Sequence, residues 1–180
     1  TEKGEIVYWL RKPERAQQGT AYGSGQSESR KRYPSSKTVK TRETLANSQK
    51  PHIAGNGSSS AKVNYFKGPR DNWRTNIATW QEVSFGEVYV GINLTLRAYG
   101  DNVEKLFTVH PGGRVEDITL QVDGAKGLSV NREGELEVAT ELGPITYTRP
   151  VAYQEINGQR VEVSVAYSLD GPELAEADTR

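Results

Sequence analysis

From Ile92 to Ala98, and again from Val161 to Leu169, apolar side chains recur at every second position. Ile92, Leu94, Leu96 and Ala98 oppose Asn93, Thr95 and Arg97; Val161, Val163, Val165, Tyr167 and Leu169 oppose Glu162, Ser164 and Ser168. A period of two belongs to strands with one covered face and is incompatible with an amphipathic helix, whose apolar positions return every three to four residues. Ile118, Leu120 and Val122 repeat the pattern, Val103, Lys105, Phe107 and Val109 follow it less cleanly, and Leu136 and Val138 more briefly. Ile6, Tyr8 and Leu10 mark Glu5 to Arg11 as a further strand. Turn signals separate these runs at Gly100-Asp101-Asn102, Pro111-Gly112-Gly113, Asp123-Gly124, Asn131 to Gly134 and Asn157-Gly158. The last is the strongest, because Asn-Gly tolerates the positive φ that a type I′ hairpin needs at both central residues, so Gln154–Ile156 should pair with Gln159–Val161. Helical signals are confined to about one turn near Pro69 to Trp73 and near Val115 to Ile118. The expected fold is all-β, an antiparallel β-sandwich of Ig-like or jelly-roll-like type, with a long flexible basic loop or arm near the N-terminus.

That arm emerges from an uneven charge distribution. The 180 residues carry 23 basic and 23 acidic side chains, yet residues 11–62 sum to +8 and residues 63–180 to −7. Only 10 of the 52 residues in 11–62 are apolar, against 47 of the 118 that follow, too few for an independent core. The expected organisation is a strand over 1–11, a basic Gly/Ser-rich loop or arm over 12–62 and a sandwich body over 63–180. Within the arm, alternation from Ser36 to Leu45 allows one exposed edge strand. Arg30-Lys31-Arg32 invites phosphate binding, but an acidic body would repel a polyanion, and the arm is better matched to its own body or a neighbour's. No nucleic-acid partner is expected.

Few residues could carry chemistry. The absence of cysteine removes disulfides, thiolate metal sites and cysteine nucleophiles. No apolar run approaches the length of a bilayer span. The two histidines, His52 and His110, lie outside any nucleophile motif, and no phosphate-binding glycine motif is present. Glu82, Glu87 and Glu104 are formally a glycosidase's carboxylates, but acids on the outer face of strands are the ordinary solubilising pattern. Asn131, Glu133 and Glu135 read first as a turn rather than a calcium loop. The expectation is a non-enzymatic chain with no cofactor and no metal.

Aromatic residues are more informative. Tyr65, Phe66, Trp73, Trp80, Phe85 and Tyr89 fall within 25 residues. Large rings normally fill a core; exposed together on one face they could stack on sugars or a partner, with Trp73, Trp80 and Tyr89 as ligand-binding candidates. Two sequons, at Asn56 and Asn93, permit glycosylation.

Several blocks carry a resemblance: Val63-Asn64-Tyr65-Phe66-Lys67-Gly68, Gly86 to Ile92, Leu96 to Phe107, Gly134 to Val138, and Pro150 to Gly158. In this order they resemble the N-terminal domain of large secreted or surface bacterial proteins in which that domain precedes SBBP β-propeller repeats. The resemblance implies an exported, β-rich, non-catalytic module with no catalytic residues to carry over. The family pattern continues into further β segments beyond the equivalent of Tyr167, whereas here an acidic tail follows to Arg180. A sandwich lacking its closing strands exposes an edge. Either the chain is a fragment or processed piece, as Thr1 and the lack of methionine also suggest, or another copy's strand fills the edge. Ile6, Tyr8 and Leu10 with Arg30, Lys31 and Arg32 would then form the assembly interface, and head-to-tail repetition would build a filament; the plainer and favoured alternative is that residues 5–11 pair in their own sheet and the arm is an ordinary long loop. The expected function is an extracellular or cell-surface structural module, its partners other copies of itself or other domains of a larger surface protein, with no membrane span. The alternatives are a carbohydrate-binding or adhesion module that uses the aromatic band 65–89.

Overall fold

A computed structural model describes residues 4–13, 36–100 and 102–170. In chain order the strands are β1 (Ile6–Pro13), β2 (Ser36–Leu45), β3 (Ala54–Tyr65), β4 (Arg74–Tyr89), β5 (Ile92–Tyr99), β6 (Asn102–Val109), β7 (Leu120–Asp123), β8 (Gly127–Val130), β9 (Leu136–Ala139), β10 (Ile145–Tyr147), β11 (Ala152–Ile156) and β12 (Gln159–Val163). Two 3-10 turns, Arg70–Asn72 and Val115–Asp117, stand where the helical signals were read. The sheets have the orders β1-β2-β7, β3-β4-β5-β6, β10-β9-β8 and β11-β12. Pairing within the last three is antiparallel throughout. The fold class is therefore all-β with antiparallel sheets, as a β-sandwich requires, and no described helix is long and apolar enough to cross a membrane.

The second half of the expected arm is strand. Residues 36–45 and most of β3 are built from the apolar-poor stretch, because a strand needs a paired neighbour for its backbone more than an apolar side chain. Nor is β2 an exposed edge: it lies between β1 and β7, and its Thr41 and Glu43 are buried. Glu43 tolerates this because Lys105 of β6 reaches it at 3.0 Å, which explains the charged residue interrupting the apolar face of β6. Arg30, Lys31 and Arg32 lie outside the described residues.

By their contacts the residues form two compact units. The first, residues 4–7 with Arg42–Val122, holds the four-stranded sheet and the main core. Phe85, Val88, Tyr89, Ile92 and Leu94 are buried together, with Leu45, Val83, Leu96, Phe107 and Ile118 against them. Each fully buried side chain of this kind contributes about 1.5–3 kcal/mol. The tight β4–β5 connection through Val90 and Gly91 folds this cluster back on itself, with Gly91 at φ 70° and Gly113 packed too close for a side chain there.

The second unit, from residues 8–41 and 123–170, contains β8, β9 and β10, with Leu136 and Val138 of the central strand buried. Asn131 organises the β8–β9 turn: its Oδ1 accepts from the N–H groups of Glu133 (3.1 Å) and Glu135 (3.0 Å). The β11–β12 hairpin turns at Asn157 (φ 52°) and Gly158 (φ 77°) in the register expected from the sequence. The long strand expected over 161–169 stops at Val163, however, and Val161 and Val163 are exposed rather than half-buried. No third strand pairs with this hairpin among the described residues, and Ile156, Val161 and Val163 are exposed.

Candidate functional site

Strand β4 runs for 16 residues, but β5 pairs with it only from Glu82 to Tyr89. From Arg74 to Trp80 its pairing partner is β3, which reaches Tyr65 opposite Arg74. The result is a two-stranded arm about 25 Å long, at roughly 3.3 Å per residue over Ser58–Tyr65. Isolated ribbons of this kind are marginal in water, so the local bonds matter. Thr79 Oγ1 donates to the Ala61 carbonyl at 2.8 Å. Asn64 Oδ1 accepts from the Asn76 N–H at 2.9 Å, holding Asn76 at φ 56°. Register shifts between Ser58 and Lys62 and between Val63 and Tyr65 show where the strand bulges.

The arm is anchored at its base by two contacts. The Trp80 indole lies over the Gly55 backbone and leaves no room for a Cβ there. Glu82 Oε1 accepts from Arg97 Nη2 at 2.6 Å and Nε at 2.8 Å. Beyond the base, large apolar side chains face solvent: Trp80 (47% exposed), Ile77 and Val63, paired across the strands, then Tyr65 (53%), Phe66 (59%) and Trp73 (39%).

The tip is tied together internally. Phe66 and Trp73 meet edge to face, with centroids 5.0 Å apart. The Arg70 guanidinium stands 5.4 Å from the Trp73 ring centre. Trp73 Nε1–H donates to the Gly68 carbonyl at 3.2 Å. The backbone N–H groups of Asn72 and Trp73 close onto Pro69 and Arg70, and Arg74 Nη1 donates to the carbonyls of Asp71 and Trp73, both at 3.0 Å.

Of the expected ligand-binding residues, Trp73 and Trp80 stand on this arm. Tyr89 does not: it is buried in the core, its hydroxyl between the carbonyls of Ala46 (3.0 Å) and Thr119 (3.2 Å) while accepting from the Thr119 N–H (3.3 Å). Burial pushes its pKa up, the carboxylate of Asp117 adds to that, and the Thr119 bond partly opposes it. Tyr65 and Phe66 of the aromatic band are exposed as well, and so are Arg70 and Ile77, which sequence reasoning did not single out. The run Ala54 to Ala61, which pairs with β4, carries no apolar alternation that could have signalled them.

The expected assembly residues sit on β1, paired within the chain's own sheet. Tyr8 packs edge-on to Tyr147 at 6.3 Å, Leu10 is half-buried, and Ile6 joins Val7, Ile53, Val83, Phe85 and others in lining an apolar groove of about 740 Å³. The one carboxylate at that groove, Glu5, faces Arg42 at 3.5 Å. Asn56 is exposed on β3, whereas Asn93 is half-buried on the inner strand β5. Among the candidate acids, Glu82 is taken by Arg97, and Glu87 accepts from the Gly91 N–H at 3.1 Å, closing its own hairpin turn. The geometry thus gathers a contact surface at the arm and uses two of the three candidate carboxylates structurally.

Comparison with curated proteins returns no match, and neither does comparison with solved structures. A family model does match, over residues 1–176, and with nearly the whole chain covered the protein belongs to the family described as Domain of unknown function (DUF7948).

Proposed function

We propose that this chain is a non-catalytic extracellular module whose task is attachment, and that the β3–β4 arm is the element that makes the contact. The observation that carries this reading is the row of solvent-facing aromatic and aliphatic side chains on a ribbon that the core does not need. Apolar side chains gathered this closely on a surface mark interaction sites. An exported location and a place ahead of SBBP β-propeller repeats follow from the sequence resemblance and belong to the same proposal. A carbohydrate ligand would use Trp80, whose one face rests on Gly55 while the ring remains 47% exposed.

Strand exchange is the second reading, favoured by the position of β1 at the end of its sheet order and by the 22 residues, 14–35, between it and β2. A strand on such a tether can be delivered to its own sheet or to another copy's, and repetition would give a filament.

A variant with residues 59–79 replaced by Asn-Gly tests the first reading. The intact chain should score in at least one of glycan-array binding, vesicle flotation or self-association by sedimentation velocity, and the shortened chain should lose that signal while keeping its thermal transition. Silence of the intact chain in all three refutes it. For strand exchange, a chain lacking residues 1–13 should be completed in trans by a peptide of residues 4–13; failure to bind that peptide removes the reading.

A further inference from the structure

We infer that the tip of the β3–β4 arm, Tyr65 to Arg74, is built to seat in the interface of an anionic lipid bilayer. This rests on the reading of the arm as the contact element and names its partner.

Three features of the tip point the same way. First, Phe66 and Trp73 flank the 3-10 turn Arg70–Asn72 and both are exposed to solvent. Aromatic side chains of this type favour the boundary between headgroups and acyl chains. Second, several polar groups around the two rings are already bonded within the tip. The Trp73 indole N–H is held by Gly68, the N–H groups of Asn72 and Trp73 close the turn, and Arg74 covers the carbonyls of Asp71 and Trp73. At those groups, losing hydration therefore carries little of the penalty that an unpaired donor or acceptor would impose. Third, residues 62–74 hold Lys62, Lys67, Arg70 and Arg74 against Asp71, a local +3 in a chain of net charge zero. Cations interleaved with exposed rings complement an anionic headgroup layer, where each is attracted within a Debye length of the surface. The Arg70 position over Trp73 also covers part of the ring that a stacking sugar would need.

The test is flotation of the full chain with unilamellar vesicles of phosphatidylcholine alone or with one quarter phosphatidylglycerol, at low and high salt. A Trp9→Phe/Trp80→Phe background leaves Trp73 as the sole reporter. Binding should require the anionic lipid, weaken with salt, and shift Trp73 emission to the blue. Phe66→Ser with Tyr65→Ser should lower affinity by about tenfold or more in that background. Lys62→Gln and Lys67→Gln should each lower it by about fivefold, and together flatten the salt dependence. These side chains are exposed, and an unchanged circular dichroism melt confirms that each variant is folded. Equal binding to both vesicles, or binding that survives loss of Phe66 and Tyr65, overturns the proposal. Absence of vesicle binding with arm-dependent glycan binding or self-association also overturns it but leaves the attachment reading standing. Absence of all three overturns both.

Discussion

The two halves of β4 are one continuous strand with opposite fates. From Val83 to Tyr89 it pairs with β5, with β3 on its other side at Val83 and Ser84, and buries Phe85, Val88 and Tyr89; from Arg74 to Trp80 its pairing partner is β3, and Ile77 and Trp80 face water. Apolar residues number three of seven in the outer stretch and four of seven in the inner one, so their count alone separates the two only weakly. What separates them is the length of the neighbour: β5 pairs with β4 no further than Arg97 opposite Glu82, and there the sheet narrows to a ribbon. Burial in a sheet belongs to a strand's surroundings as much as to its own side chains.

Truncating one aromatic on each side gives the largest contrast. Phe85→Ala should destabilise the chain by about 3–5 kcal/mol, and Trp80→Ala by only about 1, read from denaturant midpoints at constant slope. Similar losses at both sites would break the distinction. Removing the Tyr89 hydroxyl should come next, since Tyr89→Phe strands the polar groups around it at about 1–3 kcal/mol. It also has a pH signature. The folded chain raises the pKa of Tyr89, so the resulting stability is complete below the ordinary tyrosine pKa and is lost as pH rises through the higher folded value. Wild type should lose stability on that alkaline limb more steeply than Tyr89→Phe, as measured by unfolding across the range. The smallest effect is expected at Glu141, whose pKa is lowered by its hydrogen bond and charge pairing with Lys37, 2.8 Å away on the surface. Its contribution is present above the ordinary carboxylate pKa and fades as pH falls, and Glu141→Gln should move the acid midpoint barely at all.

Much of this architecture can be read from spacing. Asn157-Gly158 specified its hairpin to the residue, because Asn-Gly accepts the two positive φ values of a two-residue type I′ loop. The alternation at Ile92 and Leu94 located the core. The arm was illegible for a physical reason: Ala54 to Ala61 has almost no side-chain preference for a strand and is held there by the backbone of β4. Tyr89 misled for a related reason. A ring nine residues after Trp80 looks like part of one aromatic band, but the two residues lie on opposite sides of the point where pairing with β5 ends. Likewise Val161 and Val163 carry the pattern of a covered face whose cover is not among the described strands.

The continuity of β4 from tip to core also has a mechanical meaning. Tension applied at Trp73 runs parallel to the strand axis and reaches the body where β4 lies against β5, loading the hydrogen bonds from Glu82 to Tyr89 side by side in shear. They would have to fail together, with the Phe85 to Leu94 cluster, before the strand could slide. Pulled at its end, the arm behaves as a cable spliced into the best-packed part of the molecule.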